Sequence, residues 1–214
     1  DLAQTGKTPP IPADKAHDLH LLLAAGALCN DAELKDGRGD PTEVAILTAA
    51  EILNLRKKDL ETILPRVAEK PFDADRKRMT TVHRAVASAL WIPELEPLSY
   101  LSFTKGSVEG LLEVSNRFWH AQKIQDMDKS WKDRIMAAHD DLAQKGMRVL
   151  GVAFKPLQTI PSGEAMNRLE DGLIFVGMIG IMDPPRAEAK QAVHECKTAG
   201  IRPVMITGDH PLTA

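Results

Sequence analysis

The pattern of strands and helices changes after residue 172, and this change limits the possible folds more than any other feature of the sequence. Before it, segments 79–86 and 99–105 alternate polar and apolar residues, which predicts an antiparallel pair of strands among helices. After it come an apolar strand at 173–182, a helix at 184–199 that ends at Gly200, and an apolar strand at 202–207. The first part is typical of an α+β fold, and the second is typical of the start of a parallel βαβ unit.

The remaining segments are assigned by the same periodicity. Helices are predicted at 17–29, 40–55, 108–120 and 128–145, a short strand at 66–69, an apolar strand at 147–154 and a surface loop at 156–171. The expected fold class is α+β, with an antiparallel sheet flanked by helices and a short, incomplete piece of an α/β domain at the end.

The composition is that of an ordinary soluble globular protein. Hydrophobic residues make up 43% and charged residues 27% of the 214, which excludes a disordered, collagen-like or low-complexity chain. A formal net charge of −3 provides no general field that would attract nucleic acid or anionic lipid. Cys29 and Cys196 lie far apart without a CxxC spacing, so two unpaired thiols in a reducing compartment are expected.

Two observations concern the extent of the chain. No segment approaches the roughly 18 to 20 consecutive apolar residues that span a bilayer, so we expect this piece to be soluble. The last residues, 211–214, read as the first turn of a helix, because proline is favoured at that position. We therefore expect the sequence to be part of a longer protein.

Two motifs near the end of the sequence could take part in phosphate chemistry. In Thr207-Gly208-Asp209, the glycine would let backbone N–H groups approach a ligand, Thr207 could donate to a phosphate oxygen and Asp209 could face a magnesium ion. An ordinary strand-to-helix turn explains the same residues. The run 183–186, Asp-Pro-Pro-Arg, is most simply a helix start, in which a carboxylate caps and proline follows.

A run of basic residues follows an aromatic residue just before a predicted strand begins. Phe72 could stack on a purine, and Lys77 could reach phosphate oxygens or acceptor nitrogens of the ring. The alternative makes Phe72 part of the core and the cations of 76–78 a solvated edge that deters strand pairing.

Two further candidates are weaker when taken alone. Lys105-Gly106-Ser107 ends a strand and begins a helix, so a lysine ammonium beside a helix N-terminus could favour an anion, although a structural turn explains it as well. Glu43 is explained by a capping box with Asp40 without any ligand. His17 and His20 lack a third ligand at suitable spacing, so no metal site is predicted.

Taken together and in order, six segments resemble the motifs of P-type cation-transporting ATPases of the calcium-pump-like type II group. They are Gly39-Asp40-Pro41-Thr42-Glu43, residues 72–79, residues 105–110, residues 147–150, Asp183-Pro184-Pro185-Arg186 and residues 205–209. The resemblance covers nearly the whole chain. It implies a nucleotide-binding (N) domain at 1–182, then a hinge and a partial, haloacid-dehalogenase-like phosphorylation (P) domain at 183–214. It also places the strand at 173–182 in the sheet of the N domain.

The resemblance also implies roles for individual residues. Nine match the family's nucleotide pocket and hinge, namely Glu43, Phe72, Lys77, Lys105, Gly106, Arg148, Leu150, Asp183 and Arg186. Phe72 would stack on adenine, Glu43 would bond the base region, and Arg148 would reach the phosphates. The catalytic loop that meets the terminal phosphate and magnesium would be Thr207, Gly208 and Asp209.

Three departures from the family pattern matter. Ser107 and Val108 stand where alanine and proline are usual, and Ala74 stands where animal muscle calcium pumps have an arginine that contacts phosphate. The Asp-Lys-Thr-Gly-Thr motif that bears the phosphorylated aspartate is not in this sequence, nor is the Gly-Asp-Gly-x-Asn-Asp loop. The phosphate acceptor would therefore come from another part of the protein.

The resemblance implies an ATP-binding domain, on the cytoplasmic side of a membrane pump, that presents the γ-phosphate to that aspartate. ATP with Mg²⁺ would be its cofactors, and its partners would be the remaining phosphorylation, actuator and transmembrane domains. Two alternatives stay open at this point: a fragment of a soluble haloacid-dehalogenase-class phosphohydrolase, and a non-catalytic adenylate-binding regulatory module.

Overall fold

A computed structural model of the chain describes residues 13–34, 39–85, 99–182 and 188–206. Its helices are α1 (Ala13–Leu28), α2 (Pro41–Ile52), α3 (Lys57–Ile63), α4 (Val108–Val114), α5 (Lys129–Gln144), α6 (Glu164–Asn167) and α7 (Ala189–Thr198). Its strands are β1 (Arg66–Asp73), β2 (Arg78–Arg84), β3 (Tyr100–Gly106), β4 (Ser115–His120), β5 (Lys123–Asp126), β6 (Arg148–Leu157) and β7 (Leu173–Ile181).

The strands form one seven-stranded sheet in the order β1-β2-β3-β6-β7-β4-β5. All neighbouring pairs are antiparallel except β4 and β7, which are parallel. The α+β prediction is thus confirmed, and β2 and β3 form the antiparallel pair that alternation predicted. The strand at 173–182 pairs with β6 and β4 inside this sheet, so its initial reading as the first strand of a parallel unit was wrong.

Both faces of the sheet are covered, and alternation along the strands decides which residue enters which core. On the front face, α1, α2 and α3 pack over side chains such as Phe103, Trp119 and Phe154. On the back face, α4 and α5 pack over Phe118, Ala153 and Phe175. Adjacent residues such as Phe118 and Trp119 therefore serve opposite cores, as a strand with a side-chain period of two requires.

The predicted helix at 108–120 was wrong beyond residue 114. The helix α4 ends at Val114, and β4 begins at Ser115, whose backbone is extended (φ −97°, ψ 130°). In a strand, Phe118 and Trp119 point to opposite faces of the sheet and fill both cores. In a helix, two successive side chains could not point to opposite faces. Tertiary burial overrides the local helical pattern at this point.

The hairpin turn between β4 and β5 is held from outside. Ala121 and Gln122 both adopt positive φ (50° and 61°), which a tight hairpin turn needs and which glycine or asparagine usually supplies. The Asp18 carboxylate of α1 accepts hydrogen bonds from both N–H groups, at 3.0 and 3.3 Å. This contact fixes the turn against the front-face helices.

Two smaller predictions also need correction. Of the strand predicted at 202–207, the described residues 202–206 have no regular structure; Val204, Met205 and Ile206 are 70% or more exposed. A strand needs a neighbour for its N–H and C=O groups, and the described residues place none beside this segment. Two helices were also not predicted: α3, which ends just before Pro65, and α6, which lies within the predicted loop.

His83 is a buried polar residue of the front core. Its Nδ1 donates to the Leu64 carbonyl at 2.8 Å, so Nε2 accepts from the Thr81 hydroxyl at 2.9 Å in the neutral ring. Burial, with a smaller contribution from the nearby Arg66, outweighs the Leu64 hydrogen bond and lowers the pKa of His83 from 6.5 to about 4. The folded protein therefore excludes a proton that the unfolded chain takes up.

We expect the free energy of unfolding to fall as the pH is lowered from about 6.5 towards 4. The stabilisation is present above the unfolded-state pKa and is lost through the folded-state pKa; its size is on the order of 3 kcal/mol. Urea denaturation of the parent and of His83→Gln at pH 7 and pH 5 measures it. The variant should lose less stability between the two pH values, and identical losses would contradict the assignment.

Candidate functional site

The predicted pocket residues come together where the front face meets one edge of the sheet. Lys105, at the end of β3, pairs with Met79 on β2 and with Val152 on β6. All three side chains are on the front face because alternation sets them in register with the front core. The strand ends of β2, β3 and β6 therefore form the floor of the site.

β6 extends past the end of β3 and forms a ledge. Gly106, the last residue of β3, pairs with Gly151, so residues 148–150 pair only with β7 among the described strands. Leu150 and Arg148 precede Val152 by two and four residues. Their side chains therefore lie on the same front face of β6. Leu150 is half-buried, whereas Arg148 is exposed at the rim. The ledge thus offers an apolar surface with a cation at its outer end.

The start of α2 covers one side of this ledge. Asp40 caps the helix by accepting from the Thr42 N–H at 2.8 Å, and this contact, with one from the Thr42 hydroxyl, lowers the pKa of Asp40. Gly39 precedes it with φ 137°, and a Cβ there would lie 2.3 Å from Cβ of Ala32, so only glycine fits. Arg148 Nη1 donates to the Thr42 hydroxyl at 3.0 Å. The helix start and the ledge are therefore connected directly.

Glu43 does not complete the predicted capping box. Its Oε1 accepts from Lys105 Nζ at 2.7 Å, and its Oε2 accepts from the Asp31 N–H at 3.3 Å. The Lys105 side chain is 8% exposed and that of Glu43 is 15% exposed, so the ion pair lies at the bottom of the site. Asp40 alone caps α2, and Glu43 serves the site.

The cations of the basic run 76–78 have different surroundings. Lys77 lies in the turn between β1 and β2 with φ 51° and is exposed. Its carbonyl accepts from the Ser107 N–H at 3.0 Å, which ties the turn to the segment that follows Lys105. Arg76 and Arg78 instead contact Glu170, which the sequence reading had left in a surface loop. Nothing in the sequence around Glu170 indicates this partnership.

Phe72 is 64% exposed near the end of β1. The next residue, Asp73, pairs with Arg78, whose side chain is on the back face with Glu170. The pairing of β1 with β2 shifts by one residue between Lys70 and Asp73, so Phe72 lies in an irregular strand end just before the β1–β2 turn, and alternation does not fix its face. The alternative reading of Phe72 as a core residue was wrong.

Five predicted residues lie outside the described part of the chain. They are Asp183, Arg186, Thr207, Gly208 and Asp209. Within the described ranges, no group of three or more His, Cys, Asp or Glu side chains could hold a metal ion. In the same ranges no helix is both long and apolar enough to cross a membrane.

A separate cleft of about 460 Å³ lies at the opposite end of β6. Its lining includes Lys155, Leu157 and Arg168 and none of the predicted site residues. The Lys155 ammonium is already engaged with the carbonyls of Arg168, Leu169 and Asp171, at 3.3, 3.5 and 2.6 Å. The cleft is large, but the ammonium group of Lys155 already donates hydrogen bonds to these backbone carbonyls.

Comparison with known proteins gives a family for this arrangement. Residues 18–188 match the model of the family described as P-type ATPase, cytoplasmic domain N. The chain belongs to this family. The match spans α2, β1, the β1–β2 turn, β3 and β6, which carry every described residue of the predicted pocket.

Individual relatives of this domain N agree with the family. The chain is 42% identical over 196 residues to calcium-transporting ATPase 1 of Bacillus cereus, covering 91% of the chain and 21% of that protein. It is 35% identical over 212 residues to the calcium-transporting ATPase of Bacillus subtilis, covering 95% and 22%. It is 32% identical over 206 residues to potassium-transporting ATPase alpha chain 1 of Xenopus laevis, covering 88% and 19%. The chain thus spans about a fifth of the length of these relatives.

Gly106 tests how closely the site is packed. A Cβ at this position would lie 2.5 Å from both the Lys77 carbonyl oxygen and Cβ of Arg78. We expect Gly106→Ala to lower the free energy of unfolding by about 1 to 3 kcal/mol, because the β1–β2 turn must move away from β3. Gly177→Ala is the matched control, since its Cβ would only reach ordinary contact with Leu22 at 3.4 Å. Urea denaturation showing equal losses for both variants would contradict this packing.

Proposed function

We propose that this domain N binds ATP on the front face, with the adenine against Phe72 and the ledge and the phosphates towards the cations. The observation that carries the proposal is an exposed aromatic ring at the end of β1, next to a turn that is hydrogen-bonded to the segment following an almost buried lysine. An aromatic residue that is 64% exposed at a strand end contributes little to the core, whereas it offers a stacking surface to a base.

The surrounding groups fit a nucleotide. The Glu43 carboxylate is an acceptor at the bottom of the site, and its pairing with Lys105 holds both groups in place. Leu150 supplies an apolar wall, and Lys77 and Arg148 are exposed cations at the rim. Such a set binds a molecule with a flat apolar ring, exocyclic donors and a polyanionic tail.

We further propose that the whole protein is a cation-transporting P-type ATPase of the calcium-pump-like type II group. The relatives named as calcium-transporting, at 42% and 35% identity, favour calcium, and the relative at 32% is named as potassium-transporting. The family match favours this pump over a soluble phosphohydrolase or a regulatory adenylate-binding module.

In this pump, domain N on the cytoplasmic side would move so that the γ-phosphate meets an aspartate elsewhere in the protein. Positioning and charge neutralisation make up most of the catalysis of phosphoryl transfer. Lys77, Lys105 and Arg148 would hold the nucleotide, and Mg²⁺ would neutralise charge on its phosphates. We assign residues 1–182 to domain N and 183–214 to the hinge and the partial phosphorylation domain. There Asp183 and Arg186 would form the hinge, and Thr207, Gly208 and Asp209 would organise the receiving end.

The direct test is Phe72→Ala in this chain. Loss of one aromatic stack should weaken ATP binding by about 1 to 3 kcal/mol, measured by isothermal titration calorimetry. Phe72→Trp should keep most of the affinity because it keeps the stacking surface. Ile160→Ala is the matched control. Ile160 is also an exposed apolar side chain (41%), but it lies beside the cleft at the opposite end of β6.

Equal ATP affinities for the parent and Phe72→Ala would contradict the pocket assignment. We also expect the chain alone to bind ATP without hydrolysing it, because the Asp-Lys-Thr-Gly-Thr motif is not in its sequence.

A further inference from the structure

The back face of the sheet carries a buried ionic cluster that the proposed nucleotide site does not use. Glu170 lies at its centre with a side chain that is 2% exposed. Its oxygens contact Arg76 Nη1 at 2.5 Å, Arg78 Nε at 3.0 Å and Lys70 Nζ at 3.4 Å. The Thr80 hydroxyl donates to the same carboxylate at 3.0 Å.

The partners of Glu170 enclose the turn that carries the nucleotide-binding residues. Lys70 precedes Phe72 on β1, Arg76 precedes Lys77 in the turn, and Arg78 begins β2. One carboxylate therefore ties both strands and the turn between them to the segment just before β7. Removing one partner of a buried ionic network leaves uncompensated charge and releases the groups that it held.

The cluster also determines which cations of the run 76–78 remain available to a ligand. Arg76 and Arg78 are engaged behind the sheet, whereas Lys77 between them is exposed. Burial alone would raise the pKa of Glu170, but hydrogen bonds from Arg76, Arg78 and Thr80 outweigh it and lower the pKa below its usual value. The carboxylate is thus ionised at neutral pH, and its charge is matched locally.

We propose that Glu170 is a positioning residue for nucleotide binding, which holds the β1–β2 turn so that Phe72 and Lys77 face the nucleotide. It acts from the opposite face of the sheet and does not touch the ligand. This inference rests on the proposed ATP site and adds a residue that the sequence motifs do not contain.

The test is Glu170→Gln in the full 214-residue chain, with ATP affinity measured by calorimetry at fixed ionic strength. The substitution removes a negative charge, so the general electrostatic effect would be tighter binding of polyanionic ATP. Loss of positioning predicts the opposite sign, and we expect the dissociation constant to rise roughly threefold to thirtyfold, the range of coupling within one ionic network. Unchanged or tighter binding would overturn the proposal.

Two controls separate positioning from charge and from stability. Asp171→Asn removes the same charge from the adjacent residue, whose side chain is exposed, and should leave affinity nearly unchanged. Leu112→Ala destabilises the back-face core without touching the turn, and it should lower the melting temperature but keep ATP affinity. An equal loss of affinity in Leu112→Ala would mean that Glu170 acts through stability alone and would overturn the proposal.

If Glu170→Gln fails to fold, Thr80→Val replaces it. This variant leaves the charge unchanged and is nearly isosteric, and it removes the hydroxyl that donates to Glu170 and also hydrogen-bonds the Thr104 hydroxyl at 2.9 Å. It should raise the dissociation constant by a smaller factor, and no change would overturn the proposal. The parent and Phe72→Ala tell the two proposals apart. Absence of ATP binding by the parent contradicts the proposed function, whereas binding that depends on Phe72 but not on Glu170 contradicts only this inference.

Discussion

The antiparallel pairing of β6 and β7 is the interaction on which the rest of the structure depends. These two strands are at the centre of the sheet, and their side chains enter both cores in alternation. Phe154 and Ile174 support the front helices, whereas Ala153 and Phe175 support the back ones. Because a shift by one residue would exchange the two faces of a strand, burial on both sides fixes the register strongly.

The fixed register also determines the site. β6 extends beyond the end of β3. The ledge that bears Arg148 and Leu150 is therefore a consequence of the strand lengths and of the pairing register. Lys105 reaches Glu43 because β3 ends beneath the start of α2. In the proposed ATP site the two faces have different roles: the front face would present ligand-binding groups, and the back face would hold the β1–β2 turn through Glu170. Because the sheet is rigid, a contact that anchors its back face also holds the residues of the front face in place, as a preorganised site requires.

Much of this could be predicted from the sequence because the signals are local. Alternation identified β2 and β3, and apolar runs identified β6 and β7. The Asp40-Pro41 pair identified the start of α2, where Asp40 accepts a backbone hydrogen bond, and periodicity placed the start of α5 near Asp128, which also caps its helix. The grouping of Lys105, Arg148 and Phe72 was predicted only through the order of family motifs, since each motif had a simpler structural explanation.

The errors came from interactions between distant residues. The strand β4 exists because Phe118 and Trp119 fill opposite cores, which no local pattern reveals. Glu43 looked like half of a capping box, yet its partner Lys105 is 62 residues away. Glu170 is separated from Arg76 by 94 residues and looked like part of a polar loop. The segment 202–206 is apolar enough for a strand but has no described neighbour with which to pair.

The central claim is that ATP binds on the front face, at the ends of β3 and β6 near Lys105 and Arg148, and not in the cleft at the other end of β6. A titration of the isotope-labelled chain with ATP, followed by amide chemical shifts, tests this most directly. The account predicts the largest shifts at Phe72, Lys77, Lys105 and Arg148, with little change in the cleft. Shifts concentrated at the cleft residues Lys155, Thr159 and Arg168, with the front edge unchanged, would contradict it.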